Sequence, residues 1–364
     1  MITFDSATKR FGDGTVGVSE LSLQIEAGEI VVLVGPSGCG KTTSMRMVNR
    51  MVEPTSGSVT VDGQDVTTVD PPDLRRRIGY VIQQVGLFPH KTTAENIATV
   101  PRLLGWDKQR VTERVDELLA VVGLPASAGD RYPHQLSGGQ RQRVGVARAL
   151  AVDPPIMLMD EPFGAVDPVV RGHLQEELLR LQAEVHKTIV FVTHDIDEAI
   201  TMGDRIAILS EGGVLEQFDT PEAILADPAN DFVADFLGGE RGLKQLALMT
   251  VTDVRADPGP VARPGDSRVR AREIAAGAGT GWVVVVGHDG YLRGWLDLDE
   301  IDEEVPADGL SRFSLRLKAT DTLRTALDAM VTSRTGVAVR VRAEDDGDRY
   351  EGILTQEILT AELT

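Results

Sequence analysis

The chemistry of this chain begins at GPSGCGKT, residues 35–42, whose residue types suit the holding of a phosphate chain. Gly35, Gly38 and Gly40 let the backbone curl, so that successive N–H groups and a helix N-terminus face one anion. Lys41 is long enough to reach the β- and γ-phosphates, and Thr42 offers a hydroxyl to Mg²⁺. Ser37, Cys39 and Thr43 complete the set around the same phosphates. Cys39 is the only cysteine, so the chain has no internal disulfide framework and no Cys-rich metal site, which fits a reducing compartment.

Two acids, Asp160 and Glu161, close the apolar stretch PPIMLMDEP at 154–162. A carboxylate at such a strand end holds Mg²⁺ through water, and its neighbour orients or deprotonates an attacking water. Asp160 is therefore assigned to the metal and Glu161 to the water. Gln83 ends another apolar stretch and is a candidate for the metal or the water. His194 follows TIVFVT, where an imidazole senses or stabilises the γ-phosphate as its bond breaks. Ser137, Gly138, Gly139 and Gln140, in LSGGQ, open a helix and form a second anion-binding N-terminus. The first loop already has its nucleotide, so this second receptor is expected to serve another copy of the protein.

These residues need a frame that brings strand ends together. IVVLV before the glycine loop, IMLM before Asp160 and TIVFV before His194 are continuous apolar runs, the pattern of strands buried on both faces of a parallel sheet. Helical stretches lie between them: residues 41–52, a mostly helical region at 93–150, and a helix with Val170, Leu174, Leu178, Leu181 and Val185 on one face. ITFDSATKRF and VSELSLQI read as paired strands, and RIAILSEGGVLEQFD as a hairpin, so a smaller antiparallel subdomain is expected beside the parallel sheet. From about residue 240 a weak repeat begins: GWLDLDEI at 294–301 resembles GILTQEIL at 352–359, in two β-α-β-β-α modules. Gly238-Gly239 is the candidate junction.

With 364 residues, 42% hydrophobic and 26% charged, the chain has material for more than one core. Its formal charge of −19 argues against a nucleic-acid partner, because phosphate backbones favour Lys and Arg surfaces. The N-terminal MITFDSATKRFGDG lacks the apolar core of a signal peptide, and no apolar run approaches the ~20 residues of a membrane span. Any membrane role is expected to come through a partner.

GPSGCGKT, the Gln83 loop, LSGGQ, IMLMDEP, the Ala165-Val166-Asp167 loop and His194 together resemble the nucleotide-binding subunits of ABC transporters over about residues 1–237. The resemblance implies an α/β P-loop NTPase of ABC type, with an antiparallel β subdomain and a helical subdomain, that hydrolyses ATP with Mg²⁺. It implies a head-to-tail homodimer in which each ATP lies between one phosphate loop and the opposite LSGGQ. Asp167 would then communicate across the dimer, and Phe11 would stack on adenine; many relatives have tyrosine there, and phenylalanine keeps the π-face.

MVNRMVEPTSG, GYVIQQVGLFPHKTTAENIATVPRLLGW and the appended repeat resemble, more narrowly, the ATPase subunits of importers for glycine betaine, carnitine, choline and proline. This implies two transmembrane permease subunits, contacted through the segment 83–105, an extracytoplasmic solute-binding protein, and a place at the cytoplasmic face of the membrane. Residues 241–364 resemble a smaller α+β tandem CBS pair, which implies sensing of ionic strength or of an adenine nucleotide. The usual signature of such a pair has Ser or Thr followed three residues later by Asp. Here Asp297 with Glu300, and Thr355 with Ile358, depart from it, and the extra carboxylates of the first copy would repel a phosphate. An importer ATPase for another small solute and a non-transport ABC ATPase are the alternatives; the acidic balance and the single phosphate loop count against the latter.

Overall fold

The computed structural model describes residues 1–82, 86–164 and 167–362, without the side chains of 168–170 and 173. Its contacts divide the chain into two units, Met1–Gly238 and Gly239–Thr364.

In the first unit, β1 (Ile2–Arg10) and β2 (Val16–Ile25) form an antiparallel pair, and β3 (Ile30–Val34) runs into the glycine loop and α1 (Lys41–Val48). The chain returns through β4 (Ser56–Val61) and β5 (Gln64–Asp65), giving a four-stranded sheet of order β2-β1-β4-β5. α2 (Pro71–Arg76) leads to β6 (Ile78–Val81). A helical region follows: α3 (Thr93–Ile97), α4 (Thr99–Leu103), α5 (Lys108–Val121) and α6 (Gly138–Leu150). α5 buries Val111, Val115, Leu118 and Leu119, the stripe expected from its periodicity.

β7 (Ile156–Asp160), α7 (Pro168–Val185), β8 (Thr188–Thr193), α8 (Ile196–Met202), β9 (Arg205–Ser210) and β10 (Val214–Asp219) complete the second sheet, and α9 (Pro221–Ala226) and α10 (Asp231–Leu237) close the unit. Its order is β10-β9-β3-β8-β7-β6. β3, β7 and β8 are buried at every position, as their unbroken apolar runs demand. The four-stranded sheet shares a core with this one through α1: Ile2, Leu21 and Val59 gather with Met45, Val48, Leu33 and Val190.

Three local expectations change. The hairpin β9–β10 does not join the antiparallel subdomain: β9 runs parallel to β3, so the hairpin extends the main sheet. α1 stops at Val48 rather than 52, because Arg50 turns left-handed (φ 51°) and the Met51 N–H reaches back to Arg46 O. On α7, Leu174, Leu178 and Leu181 are buried but Val185, at the last turn, is exposed; the side chain of Val170 lies outside the description.

The second unit opens with α11 (Arg241–Leu248) and then repeats one plan. β11 (Val261–Ala262), α12 (Arg268–Gly277), β12 (Trp282–Val286) and β13 (Leu292–Asp297) form one three-stranded sheet, and β14 (Arg316–Leu317), α13 (Leu323–Thr332), β15 (Ala338–Glu344) and β16 (Gly347–Leu354) another. In each, the first strand is parallel and the last antiparallel to the middle one. The second copy ends in α14 (Gln356–Ala361), whereas the first ends in a single 3₁₀ turn, Leu298–Glu300. Val284, Val286 and Trp295 of one sheet meet Val339, Val341 and Ile353 of the other in a joint core.

Candidate active site

Strand register builds the site. β8 lies between β3 and β7, all parallel, with Val34 opposite Thr193 and Asp160 opposite Val192. The glycine loop, His194 and the Asp160–Glu161 pair therefore leave the sheet side by side at its carboxyl edge, where open parallel sheets bind ligands.

The loop is shaped by close approaches that exclude side chains. Gly40 has φ 112°, and a Cβ there would lie 2.1 Å from Gly17 O; Gly35 would meet Leu209 O at the same distance. Lys41 is 5% exposed, and its Nζ donates to Gly35 O at 2.7 Å and Pro36 O at 2.8 Å, so backbone carbonyls hold the ammonium at the centre of the loop. Thr42, at the start of α1, donates its hydroxyl to Asp160 Oδ1 at 2.9 Å. Burial pushes the Asp160 carboxyl above its ordinary range, and nearby Glu161 adds to the rise; the Thr42 hydrogen bond, Arg46 and Lys41 act in the opposite sense.

Glu161 follows Asp160 in a left-handed conformation, φ 44°, with its N–H on Val192 O at 2.9 Å. That turn brings Glu161 Oε1 within 3.2 Å of His194 Nδ1. A cleft of about 260 Å³ opens between Phe11, Ser37, Gly38, Lys41, Thr42 and Glu161, with Thr43 also on its wall. Phe11 offers a 41% exposed ring to it, and Lys9 Nζ stands 5.6 Å from that ring's centroid. An exposed ring at one end of the cleft, and N–H groups, an ammonium and a hydroxyl at the other, match a base and its phosphates.

The remaining expected residues lie elsewhere. The Cys39 side chain is buried in the core beneath the loop, 3.7 Å from Lys41 Nζ, rather than on the cleft wall. Gln83 lies outside the described residues. Ser137 caps α6 in a reciprocal box with Gln140, at 3.2 and 3.0 Å, and with Gly138 it is exposed; Ser137, Gly138, Gly139 and Gln140 do not line the cleft among the described residues. Asp167 is exposed ahead of α7, its carbonyl receiving the Arg171 N–H at 2.8 Å.

Three positions carried no signal in the sequence. Arg46 reaches within 4.0 Å of Asp160 Oδ2 and stands beside Tyr80, which only the fold brings near. Gly17 lies under the Phe11 ring, where a Cβ would come 2.6 Å from Cε2, so its lack of a side chain lets the ring lie flat.

The ABC transporter family model matches residues 18–164. Over 303 residues the chain is 47% identical to the carnitine transport ATP-binding protein OpuCA of Listeria monocytogenes, covering 83% of this chain and 76% of that one. It belongs to the ATP-binding subunits of ABC transporters. The osmoprotectant import ATP-binding protein OsmV of Salmonella typhimurium is 42% identical over 367 residues, covering 99% of this chain and 95% of its own length. A dimeric, post-hydrolysis structure of the ATP-binding cassette MJ0796 with ADP and Pi matches at 34% identity and a TM-score of 0.55, over 61% of this chain and 99% of that one. As an ABC ATP-binding subunit, the chain binds and hydrolyses ATP, and the P-loop NTPase fold of the first unit is that of the cassettes.

Proposed function

We propose that the chain is the ATP-hydrolysing motor of an importer for quaternary-amine osmoprotectants such as glycine betaine, carnitine or choline. It works as a head-to-tail homodimer bound to two membrane permease subunits at the cytoplasmic face, and an extracytoplasmic binding protein supplies the solute. The solute class rests on the relatives' names. The dimer rests on one observation: the exposed Ser137–Gly138 end of α6 lies off the cleft that Lys41, Thr42 and Glu161 line, so a second copy is needed to bring the two together.

Phe11 stacks on the adenine, and the loop N–H groups with Lys41 hold the phosphates. Glu161 Oε orients the attacking water and accepts its proton, while His194 fixes that carboxylate and faces the γ-phosphate. A hydroxyl hydrogen-bonded to a carboxylate is a donor set of hard oxygens that fits Mg²⁺; Thr42 and Asp160 would hold it, with Gln83 as the third candidate. Bound there, the ion would supply positive charge against the charge that develops on the phosphates. Asp167 meets the opposite subunit. The second unit, a CBS-like repeat, senses ionic strength or an adenine nucleotide.

Glu161→Gln tests the assignment. The variant keeps ATP affinity and associates into an ATP-dependent dimer by size exclusion, while turnover drops by about 10²-fold or more. Wild-type turnover would remove Glu161 from its role, and a variant that stays monomeric with ATP would contradict the dimer.

A further inference from the structure

Asp167 and His194 each stand just ahead of a helix, and four side chains fasten those helices together. Arg171 and Gln175 lie four residues apart on one face of α7, and Asp167 stands four residues before Arg171, just ahead of the helix. α8 begins after His194, with Asp195 as its cap, accepting the N–H groups of Asp197 and Glu198 at 2.9 and 3.3 Å. Between the helices Arg171 Nη1 lies 3.5 Å from Asp195 Oδ2, and Gln175 Nε2 donates to Glu198 Oε1 at 3.0 Å. The Thr193 hydroxyl, one residue before His194, lies beside the Glu198 carboxylate and accepts the Asp195 N–H at 3.1 Å.

Glu198 is only 7% exposed. A carboxylate is costly as packing material, and what it supplies here is direction. Its hydrogen bond with Gln175 and its place beside Thr193 set the end of β8, the first turn of α8 and the second turn of α7 relative to one another. The Arg171–Asp195 pair is partly in water and contributes little alone, whereas the Gln175–Glu198 bond is sheltered and stronger.

We propose that Arg171, Gln175, Asp195 and Glu198 are positioning residues that latch α7 to α8, so that displacement of Asp167 by the second copy moves His194 with it. The proposal rests on the head-to-tail dimer above, because the opposite subunit is what reaches Asp167. α7 is one continuous helix of 18 residues, and His194 lies 3.2 Å from Glu161, so the latch makes the geometry of the base depend on dimer closure.

The latch predicts a selective loss in the full chain. Gln175→Ala and Glu198→Ala each lower kcat about tenfold and leave KM for ATP within about twofold. The double variant loses no more than the larger single loss, since the pair acts as one unit. Glu198→Gln, which keeps an acceptor for Gln175, recovers the rate to within about threefold of wild type. Gln175 is partly exposed, so its truncation keeps the test informative even where Glu198→Ala does not fold. The dimer is checked separately, by ATP-dependent association of Glu161→Gln alone; the latch requires that adding Gln175→Ala leave that association intact. Wild-type kcat in Gln175→Ala, multiplied losses in the double variant, or loss of association together with rate would each overturn it.

Discussion

Glu161 holds a left-handed φ of 44°, a conformation that costs a residue with a side chain about 1–3 kcal/mol. The strain sits where the chain must leave β7 and still aim a carboxylate at His194. Its neighbours Lys41, Thr42 and Asp160 were legible in the sequence, because a glycine loop before a helix and paired acids after an apolar strand have few other uses. Glu198 and Gln175 were not. Each is an ordinary helix residue until α7 and α8 are packed, and no spacing along the chain signals a contact made across 23 positions.

Glu198 also makes stability depend on pH. Burial raises its carboxyl above the ordinary range and Asp195 adds to the rise, while the hydrogen bonds of Thr193 and Gln175 and the charge of Arg171 oppose it. A raised carboxyl binds its proton more tightly in the folded chain than in the unfolded one. Its stabilising contribution is therefore complete below the unfolded pKa and is lost as pH rises through the folded pKa. Glu198→Gln removes the titration, so its thermal midpoint gains on wild type as pH rises from the ordinary carboxylate range toward neutrality. A constant difference across that range would show that Glu198 does not titrate as described.

At the scale of elements, the parallel strands and the helices between them followed from unbroken apolar runs and three-to-four periodicity. The β9–β10 hairpin was assigned to the wrong sheet because its turn signal, Glu211-Gly212-Gly213, specifies antiparallel pairing with each other and says nothing about a third partner. The short helix α3 shows another device that sequence alone does not expose. Asn96, the fourth residue of α3, is fully buried, accepting the Phe88 N–H at 2.8 Å and donating to Phe88 O, Lys91 O and Thr92 O at 2.9 to 3.2 Å. One side chain thus pins the backbone of residues 88–92, within the segment proposed to meet the permease. Asn96→Leu leaves those backbone groups unpaired, and an equilibrium denaturation curve is expected to show a loss of about 2–4 kcal/mol. A change within about 0.5 kcal/mol would mean that the loop holds itself.

At the scale of the whole molecule, the change of character near residue 240 coincides with the division after Gly238, a glycine with φ 76° and ψ 175°, a backbone region closed to other residues. The repeat in the second unit shows in the sequence through GWLDLDEI and GILTQEIL, each following a valine-rich strand, β12 and β15. Its asymmetry was partly hidden: Asp297 accepts the Asp299 N–H and turns the acidic run into a 3₁₀ turn, where Thr355 in the second copy caps a full helix. Among the described residues no helix is long and apolar enough to cross a membrane. ATP hydrolysis at Glu161 is proposed to drive osmoprotectant import. It is tested most directly by uptake of labelled glycine betaine at low and high osmolarity, in cells carrying the complete transporter with either the native chain or Glu161→Gln. Uptake is expected to rise with osmolarity and to disappear in the variant. Absence of betaine uptake alongside intact ATP hydrolysis, or undiminished uptake with Glu161→Gln, would contradict it.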